Sequence, residues 1–120
     1  MNLFRICLTL LTLTGVVTLT PAAKGQNETP LITGDEISAL DAKRAEAAKA
    51  ASSARKKLAI RRVIREADSL IQKHSSAPNR YEALSILFRS QQMLVSLDNS
   101  STNRKAFLAT CSKLAAAPDE

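Results

Sequence analysis

The chain has 120 residues, of which 45% are hydrophobic and 23% charged, with a formal net charge of +6, a single histidine and no tryptophan. That length allows one small domain with one modest core. It holds two cysteines, one histidine and three glycines, too few for a cysteine and histidine metal site or a phosphate-cradling glycine loop.

The first 25 residues read as a cleavable export signal. One basic residue, Arg5, precedes an apolar run from Ile6 to Thr20, and small residues follow as far as Gly25. That order is a secretory signature. The run is interrupted by five threonines and falls short of the roughly 20 apolar residues a membrane-spanning helix needs. An uncleaved membrane anchor is therefore the minor alternative. Cleavage is expected between Gly25 and Gln26, since Ala23 and Gly25 are small and Pro21 ends the preceding helix. The mature chain would then be exported, to a periplasm or the medium. Its 17 basic residues, less Arg5 and Lys24, leave 15 against 11 acidic ones. Cys7 departs as well, so Cys111 remains alone, to be read as a small buried residue or as a thiol open to intermolecular pairing.

Residues 26–34 carry Pro30 and Gly34 without periodicity and read as a flexible linker. A capping residue at Thr33, followed by Asp35 and Glu36, marks a helix start. From Asp35 to His74 neither proline nor glycine occurs. The prediction is one long amphipathic helix, or two with a soft joint at Ser52 and Ser53. Residues 35–57 are rich in alanine, which favours helix but offers little area for packing. A heptad-like series runs through Ile37, Leu40, Arg44, Ala47, Ala51, Ala54 and Leu58. An arginine and three alanines make a poor coiled-coil seam, so an exposed, partly frayed helix is expected there. Ile60, Val63, Ile64, Ala67, Leu70 and Ile71 then fall on one side at helical spacing, opposite Arg55, Arg61, Arg62 and Arg65. Glu66 stands four residues after Arg62 and can reach it.

Ser75 to Asn79 punctuate the chain, and a helix is predicted from Pro78 to Leu97 with the stripe Tyr81, Leu84, Leu87, Phe88, Leu94 and Val95. After a turn at Asp98 to Ser101, a last helix from Thr102 to Ala117 presents Phe107, Leu108, Cys111 and Leu114. Short connections make neighbouring helices antiparallel. No segment has strand alternation. The expected fold is all-α: a cleavable N-terminal signal helix, then a long amphipathic helix packed on an antiparallel helical hairpin.

Ala77-Pro78-Asn79 recurs as Ala117-Pro118-Asp119, 40 residues later, the kind of echo helical repeats show at their junctions. The segment His74 to Leu87, HSSAPNRYEALSIL, resembles a tetratricopeptide-like junction in which one repeat's proline leads into the next repeat's first helix. The resemblance extends over residues 58–118 and implies a three-helix tetratricopeptide-like hairpin region there. The glycine usual in such a repeat's first helix is missing, with Ser85 and Phe88 nearby. The chain is also similar to the helical leaders that precede thioredoxin-like domains in some exported bacterial proteins, which implies a truncated relative of such a redox protein.

Catalysis finds no footing. His74 belongs to no spaced ligand or nucleophile motif and reads as a solvated or capping imidazole at a helix end. No cysteine pair sits two residues apart, so the chain alone cannot exchange dithiols. Asp35 with Glu36, and Glu66 with Asp68, read as helix solvation. No enzyme activity, cofactor or metal is expected.

The charge pattern is more informative, since Lys43 to Arg65 holds nine basic residues against one acid, Glu46. Such charge neutralises phosphates, but export makes nucleic acid a poor partner and turns the face toward anionic membranes or wall polymers. The residues that would carry this binding are Arg55, Lys56, Arg61, Arg62 and Arg65. The leading expectation is an exported, non-enzymatic helical interaction or scaffold module for an unknown protein partner, with anionic-surface binding as the alternative.

Overall fold

A computed structural model of the chain describes residues 30–118. Residues 1–25, read as a signal, the expected Gly25–Gln26 cleavage pair and Cys7 lie outside them. All regular secondary structure among the described residues is helical, with no strand among them. Four helices follow one another: α1 (Gly34–Ala48), α2 (Ser53–Lys73), α3 (Arg80–Leu97) and α4 (Ser101–Ala115). No helix among the described residues is long and apolar enough to cross a membrane.

Local chemistry explains where three of the helices start. Thr33 closes a capping box on α1: its hydroxyl accepts the Glu36 N–H at 3.2 Å, while the Glu36 carboxylate accepts the Thr33 N–H at 3.0 Å. Ser52 Oγ accepts the Arg55 N–H at 3.2 Å and starts α2, so the chain breaks at the joint between α1 and α2 without proline or glycine. Ser100 does the same for α4 through Asn103.

The third helix departs from this pattern. It starts at Arg80 rather than Pro78, and the side chain of its cap residue Asn79 makes no bond to the helix. That side chain is spent on Ile32, 47 residues away. Ile32 lies in the stretch read as linker, yet it is only 2% exposed and packs on Ala77 and Ala83 with Ile37, Leu70 and Ile71 around them. Burying an isoleucine stabilises by about 1.5–3 kcal/mol, enough to hold a short segment against the bundle.

Helix α3 is the centre of the molecule, buried along Ala83, Leu84, Ile86, Leu87, Ser90, Gln91 and Leu94 and packed against each of the other three helices. The main core joins Leu40 and Ala47 of α1 to Ile60, Val63 and Ala67 of α2 and to Leu84, Ile86, Leu87 and Leu94 of α3. Within the alanine-rich stretch 35–57, expected to be partly exposed and frayed, α1 packs on the core through Leu40 and Ala47, while residues 51–55 are exposed. Ile37, Leu40 and Ala47 of the heptad-like series face this core, while Ala51 in the joint and Ala54 and Leu58 beyond it are exposed. The first half of that seam is used inside the bundle, where alanine's small size permits close helix approach.

Helix α4 packs along α3. Phe107 stacks on Phe88, with ring centroids 5.2 Å apart and planes at 29°. Leu114 reaches the main core, and Thr110 is buried with its hydroxyl donated to Ala106 O at 3.2 Å. Leu108, placed in the apolar stripe by its spacing, is instead 61% exposed. It stands one residue past Phe107, about 100° round the helix and off the α3-facing side.

Candidate interaction surface

Helix α2 carries the basic residues. On a wheel of about 100° per residue, Arg55, Leu58, Arg61, Arg62 and Arg65 fall within an arc of about 120°. All five are exposed. Lys56 leaves this group: it falls on the side of Ile60 and Val63 and is half-buried. The surface is thus an arginine face with one bulky apolar side chain, Leu58, 52% exposed at its centre.

The acidic partners are distributed differently from the sequence expectation. Glu66, within reach of Arg62, is taken by Lys43 of α1 at 2.6 Å. Arg61 pairs with Asp98 at the end of α3, at 3.2 Å. Glu46 pairs with Lys49 at 3.3 Å and Asp41 with Arg44 at 2.8 Å. Among the described residues, Arg55, Arg62 and Arg65 have no ion-pair partner. Exposed pairs contribute about 1 kcal/mol at most, so these contacts matter more for which charges stay free than for stability.

Beside the arginine face, an open groove of about 400 Å³ runs between α1 and α2. Its apolar lining is buried Ala47 and Val63, half-buried Ala59 and exposed Ala42, and its polar lining is Lys43, Glu46, Arg62 and Glu66. The groove exists because methyl groups cannot fill the space between two helices. Arg62 belongs both to its lining and to the arginine face, so the two are one continuous surface.

A second polar cluster lies where α1 begins and α2 ends. His74 caps the C-terminus of α2, its N–H donating to Leu70 O at 3.1 Å. Its Nε2 is buried without a hydrogen bond and stands 4.0 Å from Glu36 Oε2. The imidazole is therefore largely sheltered rather than solvated. The Glu36 carboxyl is held below the usual range, first by the Thr33 N–H, then by the Thr33 hydroxyl, His74 and Lys73, against a counteracting loss of hydration. On α2, Asp68 is shifted the other way, pushed up by burial and partly relieved by Lys113. Ser75 and Ser76 beside His74 are exposed, and Cys111 is a free, half-buried thiol on α4. Among the described residues no three His, Cys, Asp or Glu side chains gather as metal ligands.

The arginines and Leu58 are separated by three or four residues, so that face is visible in the sequence. The groove is not, because it depends on which side of α1 meets α2. Comparison with protein-family models, with curated proteins and with solved structures found no match.

Proposed function

We propose that this protein is an exported, non-enzymatic helical module that binds a protein partner through the outer surface of α1 and α2. Residues 1–25 act as its signal and Gln26 as its mature start. The observation supporting this reading is the continuity of the alanine-lined groove with the arginine face. Apolar area and basic charge meet on one side of the bundle, the combination that anchors and steers a partner.

Lysine-specific cross-linking of the native protein, followed by mass spectrometry of cell fractions, tests it. The chain should start at Gln26 in the exported fraction and be joined to a second protein through Lys43, Lys49 or Lys56. A chain starting at Met1 in the cytosolic fraction would remove export. Intermolecular links confined to Lys105 and Lys113 of α4, or none, would remove the surface.

A second reading is favoured by Arg55, Arg62 and Arg65, which have no ion-pair partner among the described residues: the arginine face binds anionic membrane or wall surfaces. Co-sedimentation with anionic vesicles or wall polymers should then fall steeply between low and high salt. Binding that ignores salt sinks this reading.

A further inference from the structure

We infer that the α1–α2 groove seats an amphipathic helix of a partner protein, with acidic side chains flanking its apolar stripe. This rests on the interaction-module reading and names the chemistry of its partner.

Shape supplies the first reason. The groove is open, apolar along Ala42, Ala47, Ala59 and Val63, and lies between two helices, α1 and α2. Helices pack about 8–10 Å apart, the distance depending on the side chains between them, and alanine linings permit the closer end. Helix α3 covers the opposite side of the α1–α2 pair, and α4 is engaged along α3. A helix on the open side would complete a four-helix arrangement.

Charge supplies the second. Both acids lining the groove are already satisfied, Glu46 by Lys49 and Glu66 by Lys43. Among the described residues Arg62 has no such partner, nor has Arg55 seven residues before it, about 10 Å along the helix axis. Two such guanidiniums at that spacing match two carboxylates seven residues apart on the bound helix, each able to accept a forked pair of hydrogen bonds.

The same facts weigh against other occupants. A bilayer is entered by bulky side chains that project from a convex face, whereas this apolar lining lies between two helices and is built of small residues. A second copy lacks the required pattern, since no described helix of this chain carries two acidic residues seven apart.

The probe is a synthetic peptide of roughly 15 residues, about four helical turns, with a leucine and alanine stripe flanked by two glutamates seven apart. A second peptide carries lysines in their place. Binding to the purified, isotope-labelled protein is followed by amide chemical shifts. The glutamate peptide should bind and perturb Ala42, Ala47, Ala59 and Val63, and the lysine peptide should bind more weakly. Ala42→Trp fills the groove from an exposed position and should abolish binding, while Arg62→Glu should weaken the glutamate peptide about tenfold, as loss of one charge-assisted pair implies. Circular dichroism confirms that both variants stay folded.

No binding by the glutamate peptide, or unchanged binding to Ala42→Trp, overturns the inference. So does anionic-vesicle binding that survives Ala42→Trp with shifts confined to the Leu58 and Arg65 side, or self-association that Ala42→Trp removes. If the peptide fails while native cross-links through Lys43, Lys49 or Lys56 persist, the module reading stands and the acidic-helix partner is wrong.

Discussion

Asn79 holds Ile32 by both of its main-chain polar groups: the side-chain oxygen accepts the Ile32 N–H at 3.0 Å, and the side-chain nitrogen donates to the Ile32 carbonyl at 2.8 Å. One amide thereby acts as a strand partner for a single residue at the entrance to α1. The cap of α3 is given up for it, and the segment before α1 is pinned to the corner between α2 and α3.

Asn79→Ala should remove both bonds and cost about 1–3 kcal/mol, the range for leaving partly buried groups unpaired. Asn79→Asp keeps the acceptor and loses the donor, so an intermediate loss is expected. Urea denaturation measures the cost. Hydrogen exchange should locate it, with amides from Thr33 to Ile37 exchanging faster and those in the middle of α3 unaffected.

The capping box makes the start of α1 sensitive to acid. The Glu36 carboxyl is depressed from its ordinary 4.5 chiefly by the Thr33 N–H. A depressed folded-state value means that its contribution is fully present above the ordinary value and is lost as pH falls through the folded one. Glu36→Gln keeps an acceptor but no charge. It should be less stable than the native chain at neutral pH, with the difference closing progressively below pH 4.5; a difference independent of pH would contradict the assignment.

Asp68 has the opposite sign. Burial raises its folded-state value above the ordinary 3.8, so the ionised form weakens the fold and stability is gained as pH falls through the raised value. Asp68→Asn should therefore melt higher than the native chain at neutral pH. That advantage should vanish below pH 3.8, where the native side chain is protonated in both states. Lys113 offsets part of the effect, so Lys113→Ala should enlarge the advantage of Asp68→Asn.

Two apolar residues only two positions apart on α2, and so on opposite sides of it, should differ sharply. Ile60 is fully buried among α1, α2 and α3, and Leu58 is 52% exposed on the arginine face. Ile60→Ala should cost about 2–5 kcal/mol by lost burial and the cavity left behind. Leu58→Ala should stay within about 0.5 kcal/mol in stability. If Leu58 anchors a partner, its removal should show in native cross-linking yield instead.

The all-helical character, the start at Thr33, the core side of α2 and the arrangement of its arginines were legible in the residues alone, whereas the serine caps at Ser52 and Ser100 show there only as a soft joint and a turn. Each is a local property: a serine or threonine caps an amide two or three residues on, and a helix repeats its face every three to four residues. The tertiary structure decided the rest. Glu66 went to Lys43 rather than Arg62, Asn79 to Ile32 rather than its own helix, and Leu108 to solvent rather than the core. Alanine likewise says nothing by itself about whether it lies on a core, in a groove or in water, since its methyl group suits all three. The Glu66 and Asn79 contacts join residues 23 and 47 positions apart in the chain, and packing of the assembled bundle, not the local pattern, sets those meetings.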